Sequence, residues 1–68
     1  MLAKNYTLIH PDTKASVAFE VRRPKNYAII DSYDATWPIP IRHTTECNLE
    51  IADKMYTEYI EAGYKIAF

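Results

Sequence analysis

The sequence predicts an α+β fold: a three- to four-stranded antiparallel β-meander with one C-terminal α-helix packed on one face, in the order β-β-β-(β)-α, with a short terminal strand as an option. Three observations predict it. Residues 5–33 fall into three short runs of strand-forming side chains, separated by tetrapeptides with turn chemistry. Residues 44–63 carry the one clear helical period in the chain. The strands need an apolar surface to pack against, and that helix is the only candidate. At 68 residues the chain is expected to form a single domain, 1–68, with a modest core.

The first strand is Asn5–His10. Pro11-Asp12-Thr13-Lys14 follows as a turn, because proline presets φ at the first central position and aspartate suits the next. Ala15–Arg22 is the second strand, in which Val17, Phe19 and Val21 alternate with Ser16, Ala18, Glu20 and Arg22. A turn at residues 11–14 sets the register: His10 faces Ala15, Leu8 faces Val17 and Tyr6 faces Phe19, while Ile9 faces Ser16 and Thr7 faces Ala18. A slip of one residue would mix these two sets, so the agreement favours the hairpin.

Arg23-Pro24-Lys25-Asn26 is a second turn and Tyr27–Tyr33 the third strand. Here Arg22 pairs with Tyr27, Val21 with Ala28, Phe19 with Ile30 and Val17 with Ser32. Both hairpins then place Tyr6, Leu8, Val17, Phe19, Val21, Ala28 and Ile30 on the face that meets the helix. Asp34–Pro40 reads as a loop, since two closely spaced prolines cannot serve a central strand. Residues 39–43 are an optional edge strand.

The helix is expected to begin near Thr44, Thr45 or Asn48, each a competent N-cap. Ala52, Met55, Tyr56, Tyr59, Ile60 and Gly63 form its apolar face, opposed by Glu50, Asp53, Lys54, Thr57, Glu58 and Glu61. Gly63, the only glycine, suits a left-handed C′ position, with Tyr64 packing back on Tyr59. Residues 65–68 are a last short strand or a tail over the core.

Composition and motifs exclude several function classes. One glycine rules out a phosphate-cradling or dinucleotide-binding loop. One cysteine allows no internal disulfide, which favours a reducing compartment. No stretch approaches a membrane span, and the N-terminal residues lack a signal-peptide apolar run. A cytoplasmic protein with no membrane association is expected.

His10, His43 and Cys47 have no structural-zinc spacing, so no metal or other cofactor is expected. Cys47 with His43 as base would lack an orienting group and an oxyanion hole. The chain therefore reads as a non-enzyme, with no catalytic residue assigned.

The function expected from the residues is protein binding. The sheet face turned from the helix carries Ile9, Tyr27, Ile29 and Tyr33, more apolar surface than contact with water requires. Arg22, Arg23 and Lys25 make a basic turn beside it, and Trp37 lies in the 34–40 loop, as a cap on the core or as an interface anchor. These eight residues are the candidate contacts with a larger protein, which makes the chain an adaptor, accessory subunit or inhibitor. Small inhibitors encoded by phages or mobile elements also fit that description. Self-association through the same face is a further option.

The alternative is single-stranded nucleic acid, bound by the basic turn and the sheet tyrosines. Net charge is −1, with residues 1–27 at +3 and residues 44–68 at −3, so bulk charge argues against that alternative.

Overall fold

A computed structural model describes residues 4–22, 26–34 and 41–67. Its elements are β1 (Tyr6–Ile9), β2 (Ser16–Arg22), β3 (Tyr27–Asp34), β4 (Ile41–Asn48), α1 (Leu49–Glu61) and β5 (Lys65–Ile66). They form one five-stranded sheet in the order β4-β3-β2-β1-β5, every neighbouring pair antiparallel, with α1 packed on one face. This is the α+β architecture read from the sequence, with the optional fourth and terminal strands both present.

The two predicted registers are found. Tyr6 pairs with Phe19 and Leu8 with Val17. Phe19 pairs in turn with Ile30, and Val21 with Ala28. At the first turn the His10 N–H donates to the Ala15 carbonyl at 2.9 Å and the Lys14 N–H donates to the His10 carbonyl at 2.9 Å. Lys14 takes a left-handed conformation, φ 64. The His10 side chain holds the turn from within, its Nδ1 accepting from the N–H groups of Asp12 and Thr13 at 3.2 and 3.3 Å. Residues 23–25 lie outside the described residues. Asn26, which follows them, is also left-handed at φ 55, a conformation asparagine tolerates well.

The segment after the third strand corrects the sequence reading. Residues 41–48 form a full eight-residue strand paired with β3 along its length, not a short strand at 39–43 followed by a helix from Thr44. Three candidate caps were present in the sequence, and Asn48 is the one used: its Oδ1 accepts from the Ile51 N–H at 2.9 Å. Thr44 and Thr45 are β-branched, and pairing with β3 wins over the weak helical signal ahead of Asn48.

Because β4 and β5 are each an odd number of antiparallel steps from β3, they run in the same direction. The chain must return along the sheet between them, and α1 makes that return across the face carrying Leu8, Val17, Phe19, Ala28 and Ile30. These five residues, with Leu49 and Ala52 of the helix, are the buried core cluster.

Tyr56 and Tyr59 pack edge-on against Phe19, with ring centroids 5.8 and 6.1 Å away. Tyr6 meets Tyr56 at 5.0 Å. The helix face differs from the expected one at two positions. Leu49, absent from the expected stripe, is buried, whereas Ile60 is 38 % exposed. The packed stripe is Leu49, Ala52, Met55, Tyr56 and Tyr59, and Ile60 is turned about 100° from Tyr59.

The helix ends as its residues predict. The Tyr64 N–H donates to the Tyr59 carbonyl and the Gly63 N–H to the Ile60 carbonyl, both at 3.1 Å. With Gly63 at φ 104 this is a Schellman ending, closed by a Tyr59–Tyr64 ring contact at 4.9 Å. The chain then enters β5, where Ile66 pairs with Leu8 and Lys65 with Ile9.

Candidate interaction surface

Side chains alternate across a strand, so the residues between the core positions all point to the other face. No described element covers that face. The strand pairings arrange it in cross-strand rows. One row runs Ile9, Ser16, Tyr33, Arg42. The next runs Thr7, Ala18, Asp31, Thr44. A third runs Glu20, Ile29, Glu46, and the last joins Arg22, Tyr27 and Asn48.

The second row is made of short side chains, and it forms the floor of a trough of about 310 Å³ lined by Asn5, Thr7, Ala18, Ile29, Asp31 and Thr44. Ile9 and Tyr33 stand on one side of it. Ile29 and Tyr27 stand on the other. The four apolar residues are therefore two ridges flanking a polar floor rather than one continuous patch. Tyr27 and Tyr33 sit roughly 20 Å apart along β3. All four are half-buried.

The charges on this face are mostly engaged with one another. Arg22 Nη2 is 3.0 Å from Glu20 Oε2. Arg42 Nε is 3.6 Å from Asp31 Oδ1, and its guanidinium lies 5.4 Å from the Tyr33 ring centroid. The Thr44 hydroxyl donates to the same Asp31 oxygen at 3.4 Å. Asp31 is thus the polar centre of the floor, held between an arginine and a hydroxyl from the edge strand.

The sequence-predicted contacts Ile9, Arg22, Tyr27, Ile29 and Tyr33 all belong to this face. Arg23, Lys25 and Trp37 lie outside the described residues. Sequence reasoning missed Arg42, Thr44 and Glu46 on this face: Thr44 and Glu46 because the helix is expected to begin at residues 44–48, and Arg42 because it falls in a short edge strand of 39–43 with no register assigned. Arg42, Thr44 and Glu46 alternate with Ile41, His43, Thr45 and Cys47, a weak contrast that only pairing with β3 resolves.

The same strand holds His43 and Cys47 apart. His43 and Cys47 are four residues apart along an extended backbone, roughly 13 Å, and Glu46 points to the opposite face. Cys47 packs against the core beside Ala28, and burial pushes its thiol up from the ordinary 9.0, the reverse of an activated nucleophile. Among the described residues no three of His, Cys, Asp and Glu group as metal ligands, and no helix is long and apolar enough to cross a membrane.

Compared with known proteins, the chain matches no family model, no curated protein and no solved structure.

Proposed function

We propose that the protein is a non-catalytic, cytoplasmic interaction module that binds a larger protein through its open sheet face, as an adaptor, accessory subunit or inhibitor. One observation carries the reading: among the described residues no layer covers one whole face of the five-stranded sheet, and that face presents Ile9, Tyr33, Ile29 and Tyr27 as ridges around a trough. Aromatic and aliphatic side chains beside a concave polar floor suit a protein surface, where tyrosine and arginine anchors carry much of the binding. The Arg42–Asp31–Thr44 cluster would fix orientation from the centre of the contact.

Single-stranded nucleic acid fits this face less well. Glu20, Asp31 and Glu46 all point from it, and Arg22 and Arg42 already have carboxylate neighbours. A chain reading a phosphate backbone needs its cations free.

Affinity capture from the native host, run in parallel on the wild type and on Ile29→Asp and Tyr33→Ala variants, tests the proposal. The expected outcome is a protein partner held by the wild type and weakened about thirtyfold by either substitution, each variant keeping its folded circular dichroism spectrum. Retention of the partner by both variants, or recovery of nucleic acid with a steep salt dependence instead, overturns it.

A further inference from the structure

The two edges of the sheet are built differently. β5 is two residues long and one of them is Lys65, and short length and lysine both discourage an edge from adding another strand. β4, at the opposite edge, spans Ile41–Asn48 and contains no proline, glycine or lysine. Among the described residues nothing lies outside it. Every second residue of β4 therefore points its backbone N–H and C=O away from β3, toward no other described strand.

We infer that β4 pairs antiparallel with β4 of a second copy of this chain, about a twofold axis at Thr44, joining two five-stranded sheets into one. The strand is self-complementary in that register. Thr44 meets the partner's Thr44. Arg42 meets the partner's Glu46 and Glu46 meets the partner's Arg42, on the open face where both residues already point. On the helix side Ile41 meets the partner's Cys47, and His43 meets the partner's Thr45. Antiparallel partners share a face, so only registers that keep like faces together are allowed. The nearest such registers on either side put Arg42 against the partner's Asn48 or the partner's Thr44, and both ion pairs are lost.

The side chains involved are available for this contact. Glu46 is exposed and makes no ion pair among the described residues. The Arg42 side chain is 67 % exposed and meets Asp31 through Nε at 3.6 Å, and a guanidinium has further N–H donors for the partner's Glu46. Ile41 is 52 % exposed in the single chain and would gain cover from the partner's Cys47. Main-chain bonds along seven paired positions supply the affinity and the side-chain pattern supplies the register. The symmetry is that of an isologous contact, which closes at two copies rather than growing into a fibre. This contact uses the edge of the sheet and requires no outside partner, and it draws Arg42, Thr44 and Glu46 from the rim of the open face.

Sedimentation of the full chain over a concentration series up to millimolar tests it. The wild type is expected to reach twice the 7.9 kDa chain mass. R42E and E46R, each alone, set like charges opposite one another at two places and should raise the dimer dissociation constant ten- to thirtyfold, roughly. An equimolar mixture of the two should recover wild-type affinity, because R42E paired with E46R restores two arginine–glutamate contacts. I9D, which alters the open face on β1, three strands away from β4, should dimerise as the wild type does. Circular dichroism checks that each variant is folded. A wild type that stays monomeric across the series, single variants that self-associate like the wild type, or a mixture that stays as weak as its components would each overturn the dimer.

Discussion

Gly63 shows how much of this fold is decided by single side chains. It is the residue at which the chain leaves α1 and turns into β5, and its φ of 104 lies where an L side chain is strained. A Cβ there would also come within 3.2 Å of His10 Nε2, the ring whose other nitrogen organises the first turn. Gly63→Ala should therefore cost about 1–2 kcal/mol, read as a lower urea midpoint with an unchanged m-value. A midpoint equal to the wild type would mean that the helix ending contributes nothing to stability. This position was legible in the sequence because its chemistry is local: one glycine after a periodic run, followed by a tyrosine spaced to meet Tyr59. Asn48 was legible only as one of three, since the Thr44 and Thr45 hydroxyls can also cap a helix and only pairing with β3 selects among them.

At the scale of elements, the hairpins were readable and the β4–α1 junction was not, for a physical reason. In β1 to β3 the alternation of buried and open side chains is strong, and the turns between them are marked by proline, so two neighbours fix each other's register. β4 is an edge strand. Its outward face is polar and its inward face is covered only in part, so Ile41, His43, Thr45 and Cys47 give little contrast with Arg42, Thr44 and Glu46. The expected helix stripe leaves out Leu49, one turn before Ala52, and includes Ile60, because helical period alone does not say which flank of an apolar stripe is covered. The correction can be measured. Ala52 is fully buried, so Ala52→Asp places a charge in the core at a cost of several kcal/mol, against a total stability of about 3–10 kcal/mol for a chain of this size. Ile60→Asp, at a position open to solvent, should cost about 1 kcal/mol. Thermal melts followed by circular dichroism should find the first variant unfolded and the second folded, and the opposite order would put the helix in the wrong rotation.

For the molecule as a whole, the two faces of the sheet carry different physics. The helix side is closed by aromatic rings and the open side by solvated charge pairs, and that division was visible in the sequence once the registers were set. It also sorts the groups whose proton affinity the fold changes. Cys47 packs against the core on the helix side of β4, and burial pushes its thiol up from 9.0. Tyr64 lies against Tyr59 and His10, and its phenol is pushed up from 10.0, first by burial and then by the charges of ionised Tyr59 and of Asp34. In both cases the folded chain holds a proton that the unfolded chain releases earlier. Stability is therefore unaffected below the unfolded values and declines as pH rises from 9.0 through the raised folded values. The urea midpoint should fall between neutral pH and about pH 10. Replacing both groups, by Cys47→Ala with Tyr64→Phe, keeps the ring contact of the helix ending and should flatten that decline. If the double variant loses as much stability with pH as the wild type does, the alkaline-sensitive protons lie outside the closed layer, and the sidedness of the sheet does not extend to its titration.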